Sequence, residues 1–414
     1  MTNLQGKKIL ILGGNALSVD IVKQAKMLGV YTVVTDWNSI DVSIAKQYAD
    51  EHWEISLMDY DTLTNKIKEE HINGIITGFT DSYLIPYYTL CERTGLPCYA
   101  TLEQFQTTLD KALFKQICRD NDVPTVPEYD IATFDPATIS EENSIIFKPV
   151  DNSGSRGICI CRSAETYNEK LAYALSFSTK KQVVIEQYMD CDDVSFEYKI
   201  QDGEVFLSSI CDREIYKTKE GGSVTSRLIY PSKYTDIYLR DVNHRVIKMF
   251  KNMGLSNGVL FMQAFVKGEQ FYFYEMGYRL SGGRHYIFTD NQNGTNACRE
   301  LIHFAITGKM SDDKLSERTN PKFKSICSQL SIICQSKKIS DISGWDYIQS
   351  LPEVIDATTY YKLGEEIGPQ GTTASIFARI HVVASDEEEM TRIINNIKDH
   401  LKVLDEIGLN IVIQ

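Results

Sequence analysis

Hydrophobic periodicity changes near Ala100, and that change limits the fold more than any other feature of the chain. Before it, short apolar runs alternate with helical stretches. Lys8-Ile-Leu-Ile-Leu12 leads through Gly13-Gly14-Asn15 into a helical pattern reaching about Leu28. Tyr31-Thr-Val-Val-Thr35 ends at Asp36, and Gly74-Ile-Ile-Thr77 precedes a helix-like stretch from Tyr83 to Thr94. Strands alternating with helices imply a parallel sheet with crossover helices. After Ala100 the strands are separated by glycine-rich turns, which implies antiparallel pairing in an α+β region.

A chain of 414 residues exceeds one hydrophobic core. The expected division is an N-terminal open parallel-sheet α/β domain over 1–105, a central α+β region over 106–320 and a C-terminal α+β subdomain with a mixed sheet over 321–414. A lid subdomain is expected at about 125–190. The tail contains a strand near Ala374–Val383, then a charged helix from Asp386 to His400. Its acidic start and basic end suit the helix dipole.

The net charge of -13 disfavours a nucleic-acid partner, because phosphate binding needs surplus Lys and Arg. Nothing after Met1–Lys8 has the charged-then-apolar form of a leader, and no apolar run reaches spanning length. A cytoplasmic protein without a membrane partner is expected. Ten cysteines show no paired CxxC framework and fit a reducing compartment. Cys159 and Cys161 would share a strand face, either as a metal pair or as two small hydrophobes.

The Gly13-Gly14-Asn15 turn sits where open α/β folds bind ligands. It lacks the GxGxxG fingerprint, so Asp36 alone does not mark a dinucleotide site. A dehydrogenase built on this domain is therefore a weak alternative.

Four segments of the central region carry chemistry. In the first, Lys148 lies on Phe147-Lys-Pro-Val150, followed by Asp151 to Gly157. A strand lysine and a small polar loop suit a triphosphate, with backbone N–H groups aimed at phosphate oxygens. An ordinary hairpin turn with an exposed lysine would read the same. In the second, Glu186-Gln187-Tyr188-Met189 follows an apolar strand. A strand ending in a hinge offers adenine one backbone acceptor, one donor and an apolar wall; plain strand termination is the alternative. In the third, Asp193 stands near that hinge and shares a face with Glu197, where it could accept from ribose hydroxyls. Surface acids would look similar. In the fourth, a hairpin joins Phe261-Met-Gln263 to Phe273-Tyr-Glu275, then reaches Arg279 and Ser281-Gly-Gly283. A carboxylate ending an apolar strand is costly unless paired or metal-bound, and Mg²⁺ with phosphate oxygens is the usual hard-ligand answer. Arg279 could neutralise phosphate charge in a transition state, or pair with Glu275.

In this order the segments resemble the ATP-grasp superfamily, especially its carboxylate–amine ligases with a biotin-carboxylase-like three-part layout. Asp110-Lys111, Phe114-Lys115 and Val123-Pro-Thr-Val-Pro127 resemble that family's approach to its nucleotide region. Leu351-Pro-Glu-Val354, Gly364-Glu-Glu-Ile367 and Arg379 resemble its closing domain.

The resemblance implies ATP and Mg²⁺ as cofactors, with Lys111 and Lys148 on the phosphates. It makes Ser153, Gly154, Ser155 and Gly157 part of a lid. It makes Glu186 to Met189 the adenine hinge, and Asp193 the ribose acid. Glu275 becomes the main metal ligand and Arg279 the arginine facing an acyl phosphate. Small-molecule carboxylate and amine substrates and a homodimer are implied as well. Substrate contacts are expected at Asn15, Asp81 and Arg279 to His285, with Arg213, Arg227 and Arg284 as candidate carboxylate clamps.

Two positions depart from the family. Gln263 stands where an acid usually provides the first metal ligand, and Gly277-Tyr278 replaces Asn-Pro. Weaker or rearranged magnesium binding is expected. Two further readings stay open: a bicarbonate-using, carboxylase-like enzyme, and a nucleotide-binding protein with impaired catalysis.

Overall fold

The computed structural model describes residues 3–150, 157–218 and 222–413. Strands β1 (Lys8–Leu12), β2 (Tyr31–Asp36), β3 (Glu51–Glu54) and β4 (Gly74–Thr77) form a parallel sheet in the order β3-β2-β1-β4. Ile9 to Leu12 are buried throughout, as a strand covered on both faces requires.

Strands β5 (Glu128–Tyr129), β6 (Ile145–Pro149), β7 (Cys159–Cys161) and β8 (Val183–Gln187) make a small antiparallel sheet in the order β5-β8-β6-β7. Ile145, Phe147, Cys161 and Ile185 pack with Tyr167 and Ala174 of the helix Tyr167–Ser176. Alternation then places Ile146, Lys148, Val184 and Glu186 together on the opposite face. The Cys159 and Cys161 thiols donate to the backbone carbonyls of Lys170 and Ser163. Cys161 is buried and Cys159 partly buried, and both thiols are engaged as small hydrogen-bonding groups.

The remaining strands include β9 (Asp192–Gln201), β10 (Glu204–Lys217), β11 (Ser223–Tyr230), β12 (Gly258–Lys267), β13 (Gln270–Gly277) and β14 (Ile326–Ile333). A short ribbon pairs β15 (Asp341–Ser343) with a later strand. Next come β16 (Val354–Thr359), β17 (Ile376–Ala384) and the ribbon partner β18 (Lys402–Leu404). Eight of these strands form one sheet in the order β13-β12-β9-β10-β11-β14-β17-β16. The tail joins the central region edge to edge, through antiparallel pairing of β11 with β14. One continuous sheet face therefore runs from Glu275 on β13 to the tail.

A β-bulge between Gln263 and Ala264 shapes the far edge. Gln263 pairs with Glu275 and Ala264 with Phe273, so Tyr274 is the extra residue. It stacks on Phe265 with ring centroids 4.4 Å apart.

Candidate active site

The helix Lys111–Asp120 starts cleanly because Asp110 caps it, accepting from the backbone N–H groups of Ala112 and Leu113 at 2.8 and 3.0 Å. One turn in, Lys115 is buried and donates to Glu128 at 2.9 Å and, more closely, to Glu186. Lys148 donates to the other Glu186 oxygen at 2.5 Å. Burial is the largest influence on the Glu186 carboxyl and pushes its pKa up. Lys148 and Lys115 outweigh it and hold the group below the usual glutamate range.

Lys111 faces the same cleft. Desolvation lowers its ammonium pKa, repulsion from Lys148 adds to that, and Glu275 and Glu186 act against both. Lys111, Lys148, Glu186 and Glu275 thus share one electrostatic environment. The Glu186 side chain is the counter-ion of two lysines and is not free to hold a nucleobase. Lys115 and Glu128 belong to this cluster and were not among the expected site residues. Lys115 had a signal, since it sits one helical turn after Lys111.

At the hinge, the N–H groups of Gln187 and Tyr188 donate to Pro127 and Ser144 at 3.0 and 2.8 Å. The Tyr188 ring lies under Arg162 and Lys217, while Met189 is buried. Of the expected lid residues, Ser153, Gly154 and Ser155 lie outside the described residues. Gly157 has φ +76°, and a Cβ there would come within 2.4 Å of the Phe177 Cβ, so the turn requires glycine.

Asp193 has both oxygens 3.0 Å from Arg213 Nη1 and 3.0 Å from the Tyr274 hydroxyl. Arg213 also donates to Thr225 at 3.0 Å. Burial raises the Asp193 pKa against the attraction of Arg213. The arginine expected to clamp substrate is therefore paired with the expected ribose acid. Arg227 lies elsewhere. It pairs with Glu214 in register while Arg213 pairs with Leu228, so alternation turns it to the other sheet face. There its Nε donates to Ser328 at 2.8 Å.

Glu275 is exposed, facing Gln263 across the β12–β13 pair. It is not the buried acid that its apolar strand suggested, because the bulge at Tyr274 intervenes. Among the described residues, no group of three His, Cys, Asp or Glu could hold a metal by itself. The glycine at 277 has a steric cause: a Cβ there would lie 2.3 Å from the Phe261 ring. That ring instead carries the Arg279 guanidinium at 4.8 Å.

Arg279 is buried and makes a two-pronged pair with Asp81, Nε–Oδ1 at 2.6 Å and Nη2–Oδ2 at 2.7 Å. Asn15 caps the turn before the helix Ser18–Met27, accepting from Leu17 and Ser18, and its amide reaches Thr80. Arg284 does not present an open guanidinium. Its side chain is 3 % exposed and bonded to Asp20 at 2.6 Å and Asp356 at 2.9 Å. It ties the first sheet region to the tail. His285 is buried beside Tyr230 and Ser209, and burial pushes its pKa down to about 3. A neutral imidazole that donates or accepts one hydrogen bond fits this position, and a proton-gathering base does not.

The cleft and its surroundings match known proteins. Residues 110–311 match the family described as the carbamoyl-phosphate synthase L chain ATP-binding domain. The formate-dependent phosphoribosylglycinamide formyltransferase of Erythrobacter litoralis is 24% identical over 287 residues, 66% of this chain and 70% of that one. The phosphoribosylglycinamide synthetase of Anaerococcus prevotii superposes with a TM-score of 0.78 at 17% identity, covering 97% of this chain and 100% of that one. The biotin carboxylase domain dimer of the Hydrogenobacter thermophilus 2-oxoglutarate carboxylase, bound to MgADP and bicarbonate, gives 0.75 at 19% identity, covering 96% and 91%. Residues 110–311 are thus similar to the carbamoyl-phosphate synthase L chain ATP-binding domain, and the chain as a whole shares the fold of ATP-grasp ligases. Among the described residues, no helix is long and apolar enough to cross a membrane.

Proposed function

We propose that this chain joins a small-molecule carboxylate to an amine through an acyl phosphate, releasing ADP and phosphate. The observation that carries the reading is the cluster of Lys111, Lys115 and Lys148 around Glu186, facing Glu275 across one cleft. Three ammonium groups, with Glu186 and Glu128 as their paired carboxylates, offer donors to a polyphosphate.

The nucleobase lies against Met189, whose backbone serves it, because the Gln187 and Tyr188 N–H groups are already engaged. Asp193, with Arg213 and Tyr274 on its oxygens, borders the ribose. Glu275 and the amide oxygen of Gln263 face each other in register, and they fit a hard cation that takes its other ligands from phosphate oxygens and water. Mg²⁺ held by Glu275 and Gln263 would supply charge neutralisation for the triphosphate. Lys111 and Lys148 hold the γ-phosphate in line with the incoming carboxylate. The carboxylate oxygen bonds to phosphorus as ADP leaves, and Arg279 faces the acyl phosphate. The amine then bonds to the acyl carbon, phosphate leaves, and the amine gives up a proton. Positioning and electrostatics supply most of the catalysis in such a step.

Asn15, Asp81 and Arg279 border the acyl end, at the meeting of the first and central regions. A homodimer working in the cytoplasm is part of this reading; its support is that the biotin carboxylase domain named above is a dimer. A bicarbonate substrate is the second reading, carried by the bicarbonate in that same structure.

Lys148→Ala tests the proposal. Phosphate release from ATP in a screen of paired acids and amines should fall by about two orders of magnitude, with the fold intact by circular dichroism. Turnover equal to the parent's would remove Lys148 from the site.

A further inference from the structure

The tail end of the continuous sheet face carries polar groups that the reaction above does not use. Ser331 pairs with Arg379 across β14–β17, and Arg379 pairs with Thr358 across β17–β16. Gln329 lies two residues from Ser331 on the same face. Buried here without a hydrogen-bond partner among the described residues are Arg379 Nε, the Tyr360 hydroxyl and Gln329 Oε1.

Arg379 differs from the other arginines of the site. Arg279 has Asp81, Arg284 has Asp20 and Asp356, and Arg213 has Asp193. Arg379 donates to the Gly282 carbonyl at 2.5 Å and lies over the Tyr360 ring at 5.7 Å. Among the described residues it makes no ion pair. A half-buried guanidinium without a carboxylate is costly and asks for an anion. Its hydrogen-bonded neighbour Gly282 is three residues past Arg279. A Cβ at Gly282 would lie 3.9 Å from Leu17, which follows the Asn15 turn. Arg379 therefore stands beside the acyl end, where the three regions meet, and apart from the triphosphate lysines.

The other groups suit the same anion. The Tyr360 hydroxyl can donate. The Gln329 amide points its nitrogen at Ser331 at 3.4 Å. Turned over, it would accept from the Ser331 hydroxyl and present two N–H donors instead.

We infer that Arg379, with Tyr360 and Gln329, binds an anionic group carried by the amine substrate, so that the nucleophile is an amino acid or an amino phosphonate or phosphate rather than a simple amine. This rests on the ligase reading. The amine nitrogen points toward Arg279 and the acyl phosphate, while the anion is held by the tail.

The test begins with hydroxylamine, which traps an acyl phosphate without needing an anion site. Parent enzyme, MgATP and a panel of carboxylic acids identify the acid by hydroxamate formation. No hydroxamate with any acid, bicarbonate included, would overturn the ligase reading and this inference with it. With the acid known, amino acids are compared with their α-amides and aminoalkylphosphonates. The expected result is at least tenfold preference for the anionic member of a pair, with the two anion arms separating carboxylate from phosphonate recognition. Arg379→Met should bring that ratio close to one, and Arg379→Lys should restore part of it. Loss of packing alone would lower both members equally and keep the ratio. Equal use of acid and amide by the parent, or an unchanged ratio in Arg379→Met with melting temperature preserved, overturns the inference while leaving the ligase intact.

Discussion

Arg279 and Asp81 meet end-on, with two hydrogen bonds of 2.6 and 2.7 Å joining residues 198 positions apart. Asp81 sits at the end of the first parallel sheet region, and Arg279 follows the last strand of the central hairpin. Such a fork fixes both the distance and the plane of the guanidinium. Asp81→Asn keeps the shape but gives up half of that fork. Because Asp81 is half-exposed, the stability change should be small, within about 1 kcal/mol. Phosphate release should fall roughly tenfold, through a guanidinium that no longer holds its plane. Steady-state kinetics and a urea melt on one preparation distinguish the two effects. A large stability loss with unchanged kcat would make the pair a fastener only.

Sequence reasoning reached this pair from each side but could not join them. Arg279 stood out by local pattern and Asp81 only as a substrate contact implied by the resemblance, and nothing local records a contact across 198 residues. The same limit explains Glu186. Its strand-to-hinge position was legible, yet its side chain answers to Lys115 and Lys148, which lie 71 and 38 residues away. Arg227 was read as a clamp because the local sequence does not record register: pairing with Glu214 rather than Arg213 turns it away. Gly277 stood out in the sequence as a departure from the family's Asn-Pro, and only the Phe261 ring shows why a side chain has no room there. The strand-and-glycine rhythm of the central region was legible where alternation is regular, as in the hairpin ending at Glu275, but β11 and the helix Tyr167–Ser176 went unread.

Glu186 should be the most sensitive electrostatic residue of the cleft. Glu186→Gln leaves two ammonium groups, one of them fully buried, without their shared counter-ion. A destabilisation of about 3–5 kcal/mol is expected. The pH dependence has a definite sign. The Glu186 pKa is depressed in the folded state, so its contribution is complete above the unfolded value of about 4.3 and is lost as pH falls through the lower folded value. Denaturant melts of parent and variant should begin to converge below about pH 4 and close as pH falls through the depressed folded value. A gap between them that persists there would count against the ion cluster.

Glu197 behaves in the opposite way. It is 1 % exposed on β9, accepts from Ser208 at 2.8 Å, and burial raises its pKa to about 7 against the attraction of Lys199. Below about 4.3 the group is protonated whether folded or unfolded. Between that value and about 7 only the folded state keeps the proton, so stability declines as pH rises through this window. Glu197→Gln should flatten the decline and gain on the parent above neutrality. Thermal melts from pH 4.5 to 8 would show it, and parallel curves for the two proteins would refute the shift.

Magnesium binding by the proposed site at the β12–β13 hairpin can be addressed by one substitution. Gln263 and Glu275 are cross-strand partners, so their side chains project side by side from the hairpin. With glutamine at 263, the protein offers the cation one negative oxygen pair and one neutral oxygen. Gln263→Glu adds a second carboxylate at the same register position, with no change of backbone. Each extra charged ligand tightens a hard-cation site, so half-saturating Mg²⁺ should fall by roughly tenfold at fixed ATP. The gain should reverse with Gln263→Glu combined with Glu275→Gln, because the remaining carboxylate then stands alone on the other strand. Titration calorimetry of Mg²⁺ into protein holding a non-hydrolysable ATP analogue measures this without turnover. Should Gln263→Glu leave Mg²⁺ affinity unchanged, the ion is not held between these two strands, and Glu275 must instead serve Lys111 as a counter-ion.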